Sequence, residues 1–206
     1  MNTFKKNLLL LLAVLMVTAV SAQETTVINF DKANPGSLPE GWTNASGKWM
    51  VKTDNDNKVL AQTAENSGSY YNVAVYDGAV LKDVELSVDI RANSGNEDRG
   101  GGLVWRYRDN DNYYIVRFNP LEDNYRFYKV ENGRRIQLAS AHATVPEGEW
   151  FNVKAEMTGN RVTCYLNGKK YLEKTDDTFT EAGKTGFWTK ADAVSDFDNF
   201  SFKKEE

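Results

Sequence analysis

Residues 99–119, RGGGLVWRYRDNDNYYIVRFN, narrow the choice of fold more than any other stretch of this sequence. Side chains on a strand alternate between faces. Leu103, Trp105 and Tyr107 therefore point one way, and Val104, Arg106 and Arg108 the other. After Asp109-Asn110-Asp111-Asn112 the alternation resumes, with Tyr114, Val116 and Phe118 on one side and Tyr113, Ile115 and Arg117 on the other. Short Asn and Asp side chains bond to their own backbone and tolerate the left-handed conformations of tight turns. This pattern predicts a β-hairpin with one apolar face and one face that carries arginines, and a ligand is expected on the arginine face.

The same grammar runs through the chain from Gln23 onward. No segment there has the apolar spacing of an amphipathic helix of useful length. Short alternating runs recur instead, separated by turn residues such as Asn34-Pro35-Gly36, the DNDN tract at 54–57, Asn132-Gly133 and Asn167-Gly168. The clearest half-buried strand sets Val84, Leu86, Val88 and Ile90 against Glu85, Ser87, Asp89 and Arg91. Many short strands with regular turns predict an all-β chain, a two-sheet antiparallel sandwich forming one domain over residues 23–206.

Residues 1–22 stand apart. Lys5 and Lys6 precede an apolar run from Leu8 to Val17, and Val20-Ser21-Ala22 lead up to Gln23. A basic start, a short apolar core and small residues before a cut make a secretory signal peptide, which predicts a periplasmic or extracellular location. The run is too short for a comfortable membrane span, so none is expected after the signal is removed. The chain has a formal net charge of −4, which excludes the broad basic footprint of non-specific nucleic-acid binding. Cys164 is the single cysteine and shares parity with Val162 and Leu166, so it is expected to be buried and inert. His142 is the single histidine and cannot supply a zinc cage; neither H-E-x-x-H nor G-x-S-x-G occurs.

Several short motifs, in their order, resemble a known family. They are Phe30-Asp31 near Leu38-Pro39-Glu40-Gly41-Trp42, the hairpin from Gly102 to Tyr107 with Asn112-Tyr113-Tyr114, Gly148-Glu149-Trp150, Tyr165-Leu166-Asn167-Gly168, and Gly186-Phe187-Trp188 with Phe197-Asp198-Asn199-Phe200. Together they cover nearly all of the chain after residue 22. The order resembles the concanavalin A-like jelly roll with its laminin-G-like relatives, and more narrowly the family first catalogued as DUF1080, the 3-keto-disaccharide hydrolase domain. The resemblance implies two packed antiparallel sheets, one of them concave, with glycan contacts on the concave side. Catalytic-looking members carry a Glu-x-Gln pattern and a late His. Here Tyr114-Ile115-Val116-Arg117-Phe118 and Phe197-Asp198-Asn199-Phe200 stand in those places without them.

The residues themselves give the same weighting. Glycoside hydrolysis usually needs two facing carboxyl groups, whereas Glu85 and Asp89 lie on the polar side of one strand, roughly 13 Å apart by strand rise. Glu122 and Asp123 read as loop acids, and no catalytic residue is assigned. Arg106, Arg117, Arg126 and Tyr128 fall on the polar parity of strands that can be neighbours, and Trp188 is the tryptophan expected to face away from the core. Guanidinium groups offer forked donors to vicinal hydroxyls or carboxylates, and aromatic rings pack on sugar C–H surfaces. Arginines gathered on one face repel one another, and an acidic glycan would relieve that repulsion. Jelly rolls of this kind often hold a structural calcium ion; the tracts 109–112 and 54–57 offer oxygen ligands but read as turns, and Asp31 with Asp198, on the first and last strands, is a further candidate pair; no other cofactor is expected. The expected function is carbohydrate binding on the concave sheet. The alternatives are a 3-keto-glycoside hydrolase and a protein-interaction domain using sheet edges or the loop 93–102.

Overall fold

The computed structural model describes residues 24–203; the expected signal peptide lies outside them. In chain order the strands are β1 (Thr25–Ile28), β2 (Trp42–Ser46), β3 (Trp49–Asp54), β4 (Asn57–Gln62), β5 (Tyr71–Leu81), β6 (Val84–Ser94), β7 (Gly101–Asp109) and β8 (Asn112–Asn119). They continue as β9 (Asn124–Glu131), β10 (Arg134–His142), β11 (Trp150–Thr158), β12 (Arg161–Leu166), β13 (Lys169–Thr175), β14 (Gly183–Lys190) and β15 (Val194–Lys203). No helix occurs among the described residues. The strands form two antiparallel sheets. One has the order β13-β12-β11-β6-β15-β4-β3, with β1 also paired to β15; the other runs β10-β9-β8-β7-β14-β5-β2. The expected jelly-roll sandwich is the observed architecture.

Alternation explains what fills the space between the sheets. Val84, Leu86, Val88 and Ile90 of β6 all face inward, and Ile90 pairs with Phe151 on one side and Phe197 on the other. From the facing sheet come Leu103, Trp105, Tyr114, Val116, Phe118 and Phe187, all fully buried. Phe187 of β14 stacks on Phe197 of β15 across the gap, with ring centroids 4.7 Å apart. The Trp105 indole N–H finds an acceptor in the Met157 sulfur at 3.2 Å, so this large ring is buried without leaving its donor unpaired. Cys164 is part of the same core, and burial pushes its thiol well above the ordinary value, as expected of an inert packing residue. Glu85, by contrast, is held on the outer face by Lys154 and Lys203.

A second apolar cluster covers the outer face of the β10-to-β2 sheet: Val73, Val75, Val104, Tyr113, Ile115, Tyr128, Val130 and Trp188, with Tyr71 and Tyr107 packed against it. That face is concave. Five strand spacings separate β10 from β5, about 24 Å on a flat sheet. Yet the guanidinium of Arg135, on β10, lies 5.5 Å from the Tyr71 ring of β5 and 5.7 Å from the Trp188 ring of β14. Only a sheet curled toward its outer side lets those groups meet. Gly102 assists the curl: it stands in register between Arg117 and Trp188, and a Cβ there would come within 1.8 Å of the Val116 carbonyl oxygen.

The hairpin departs from its expected alternation at one place. Arg106 has φ +46°, and β7 bulges between Trp105 and Asp109. Residues beyond a bulge lose the parity of those before it. Tyr107 therefore leaves the core side, where alternation placed it with Trp105, and packs on Tyr113 of the concave face at 5.5 Å.

Candidate functional site

The concave face gathers Arg117, Arg126, Tyr128 and Trp188, four of the five residues expected there. Register does the gathering: Arg117 of β8 pairs with Arg126 of β9 and, on its other side, with Gly102 of β7, which pairs with Trp188 of β14. Trp188 faces away from the core as alternation requires. It is nonetheless fully buried, because Tyr71 and Arg135 cover it.

Arg106 is not brought to this face. Its bulged backbone turns the side chain to the end of the sandwich, where Nε donates to Lys82 O at 2.7 Å and Nη2 to Gly159 O at 2.7 Å. Nη1 donates to Phe179 O, and Nη2 also meets Asp83 at 3.2 Å. All of its nitrogens are engaged in tying three loops together, so none is left for a ligand.

Arg117 is the opposite case. It is 2% exposed, yet its Nε and Nη1 have no hydrogen-bond partner among the described residues. Nη1 stands 3.7 Å from Asp98, an ion pair beyond hydrogen-bonding range, and Nη2 donates to Glu122 at 3.4 Å. Arg126 also reaches Glu122, at 3.5 Å, and donates through Nε to Ser140. Arg135, which opposes Val130 on β9, lies over the Tyr128 ring at 4.7 Å, and its Nη1 is likewise buried without a partner. Buried unpaired donors are rare because each costs about 1–3 kcal/mol.

Two acids stand among these cations. Asp98 is nearly buried; burial raises its carboxyl above the ordinary range, opposed by Arg117 and Lys190. Its partners are Asn119, which donates at 3.1 Å, and Lys190 at 3.6 Å. Glu122 moves the other way, held below the ordinary range by the Asn124 amide at 2.7 Å and by Arg117 and Arg126.

Asp98 escapes a reading of alternation because it sits in a loop. The loop turns back through Gly95 (φ +142°) and Gly100 (φ +104°), where a Cβ would collide with the Asp98 and Phe118 carbonyl oxygens at 1.9 and 2.2 Å. The Asp192 carboxylate then accepts the backbone N–H groups of Asn96, Glu97 and Asp98 at 2.6 to 3.0 Å. Partial desolvation acts against this carboxylate, but those three donors prevail and hold it below 3.8, its ordinary value. The sign follows: its contribution to loop order is complete above that ordinary value and is lost as pH falls through the depressed one. Amide exchange at residues 96–98, corrected for intrinsic rates, should accelerate below pH 3.8, and Asp192→Ala should produce the same acceleration at neutral pH.

The other expected positions lie elsewhere. Asp198 accepts from the Asn57 amide at 2.9 Å and from the Asn199 backbone N–H at 2.8 Å, on the outer face of the opposite sheet. Burial raises its carboxyl, and Asp31 and Asp89 add to the rise. No group of three or more His, Cys, Asp or Glu residues that could hold a metal ion occurs among the described residues. In the DNDN turn, Asp109 accepts from the Asp111 backbone and the Asn112 amide, which is turn chemistry.

With this geometry in place, comparison with known proteins becomes informative. The family model of the 3-keto-alpha-glucoside-1,2-lyase-like domain matches residues 29–203. A levanase from Bacillus subtilis (strain 168) is 25% identical over 162 residues; the match covers 77% of this chain but only 22% of the levanase. Among solved structures, the carbohydrate binding module CBM66 from Bacillus subtilis superposes with a TM-score of 0.68 at 24% identity, covering 80% of this chain and 96% of that one. A Bacillus subtilis protein with a galectin-like fold gives a TM-score of 0.59 at 15% identity, covering 79% and 88%. Likenesses at this level show a shared jelly roll. The extent of the family match settles membership: this chain belongs to the 3-keto-alpha-glucoside-1,2-lyase-like domain family.

Proposed function

We propose that this chain is a carbohydrate-binding domain whose concave sheet recognises hydroxyl-rich sugar rings. One observation carries the reading: buried, unpartnered N–H groups of Arg117 and Arg135 converge with Asp98 and Glu122 beside Tyr71 and Tyr128. Vicinal hydroxyls supply what this set lacks, accepting from the guanidinium forks and donating to the carboxylates. The acids also neutralise part of the arginine repulsion, so an anionic glycan is no longer needed to relieve it. The levanase match and the likeness to a carbohydrate binding module support the reading. A glycan array followed by titration calorimetry tests it; no captured glycan at millimolar concentration would sink it. The N-terminal signal accords with an exported protein, tested by whether the secreted chain begins at Gln23.

A second reading, hydrolysis of a 3-keto-glycoside, is favoured by one observation. Asp98 and Glu122 flank Arg117 with their acidities pushed in opposite directions, a pattern that suits a proton donor and a base. Incubation with 3-keto-glucosides, scored for released aglycone in the wild type and in Glu122→Gln, decides between binding and turnover.

A further inference from the structure

The concave face does not end at the arginine pocket. Beyond Tyr71 it opens into a groove of about 340 Å³ lined by Ala45, Ser46, Tyr70, Tyr71, Asn110 and Tyr113. The β7–β8 turn closes its far side, where the Asn110 amide donates to Ala45 O on β2 at 3.1 Å and accepts from the Tyr107 hydroxyl at 2.8 Å. We infer that this groove is a second sugar subsite, and that the domain binds an oligosaccharide chain running along β8 from Arg117 to Tyr113. The inference rests on the carbohydrate reading above and extends it from a single ring to a linked chain.

Three observations carry it. The two sites are continuous, because Tyr71 lines the groove while its ring lies 5.4 Å from Trp188 and 5.5 Å from Arg135. They are also spaced for a chain: Arg117 and Tyr113 are four residues apart on one face of one strand, about 13 Å, which exceeds a single sugar ring. The groove, finally, has an aromatic wall: Tyr113 forms its floor, its buried hydroxyl beside the Trp188 indole N–H. Tyr70 adds an aromatic surface, 46% exposed, of the kind that packs on sugar C–H faces. A pocket meant for one terminal ring does not need this surface.

The test is calorimetry with fructose, galactose and glucose against linear β-2,6-fructan, β-1,4-galactan and β-1,4-glucan tetramers. At least one tetramer should bind about tenfold or more tighter than its own monosaccharide. Tyr70→Ala, which removes an exposed ring and leaves the core intact, should abolish most of that gain without changing monosaccharide affinity. Equal affinity for monomer and tetramer, or a gain that survives Tyr70→Ala, would overturn the second subsite while leaving the carbohydrate reading intact. Failure of all six sugars, together with an empty glycan array, would overturn the reading itself, and the subsite with it.

Discussion

Arg106→Ala is expected to cost about 3–5 kcal/mol of stability and to leave glycan affinity unchanged in the protein that remains folded. The loss has an identifiable origin. Truncation strips hydrogen bonds from the carbonyls of Lys82, Phe179 and Gly159 and leaves Asp83 without its cation, in a site where the guanidinium is 1% exposed. Those four partners come from three separate connections, β5–β6, β11–β12 and the approach to β14, so they loosen together. For a domain of this size the melting temperature should fall by roughly 10 °C. Arg106→Lys should recover only a small part, since one ammonium cannot reach three carbonyls and a carboxylate at once. Urea titration and calorimetry on the same preparations give both quantities. A stability loss below about 1 kcal/mol, or a lost affinity at unchanged stability, would return Arg106 to the ligand face where alternation had placed it.

That reversal shows what was legible in the sequence. Strict alternation in Val84 to Ile90, and in the hairpin up to Trp105, gives the inward side correctly because burial fixes register wherever one face meets a core. It fails one residue later. The bulge at Arg106 has no signature in RYRDN, and every parity statement beyond it on β7 is inverted, Tyr107 included. Arg135 was within reach of the sequence. The Asn132-Gly133 turn pairs Arg134 with Glu131, so Arg135 opposes Val130 and shares the side of Tyr128 and Arg126. Asp98 was not: its place depends on two glycine conformations and on Asp192, a residue 94 positions away, capping the loop. Glu122 stood in plain sight as a loop acid. What it lacked was knowledge that the β8–β9 turn folds back on Arg117, a fold-back set by Asn119 accepting the N–H groups of Leu121 and Glu122. The scaffold was readable because it repeats, and the site was partly unreadable because its charged half comes from loops that do not.

Arg117→Ala should lower glycan affinity roughly 100-fold or more, the range of a central, desolvated contact. Arg126→Ala should lower it less than tenfold, because that side chain is 32% exposed and its bonds, at 3.3 to 3.5 Å, are weak. The contrast separates a designed fork from a surface charge on the same row. Arg117 faces both acids, Asp98 at 3.7 Å and Glu122 at 3.4 Å, while its Nε and Nη1 make no hydrogen bond among the described residues. Arg117→Lys should restore little, since a single ammonium cannot serve two carboxylates and a diol at once. Removing the guanidinium also leaves Asp98 with Lys190, Asn119 and the more distant Arg135, so the Asp98 carboxyl, already raised by burial, should rise further. Glycan binding that survives in Arg117→Ala should therefore be lost through Asp98 protonation at a higher pH than in the wild type. Calorimetry across pH, with thermal melts to confirm folding, reads each of these effects. An Arg117→Ala protein that folds and binds within twofold of wild type would move the ligand off this pocket. The unpaired nitrogens would then be a cost with no return in binding, a condition that folded proteins rarely carry.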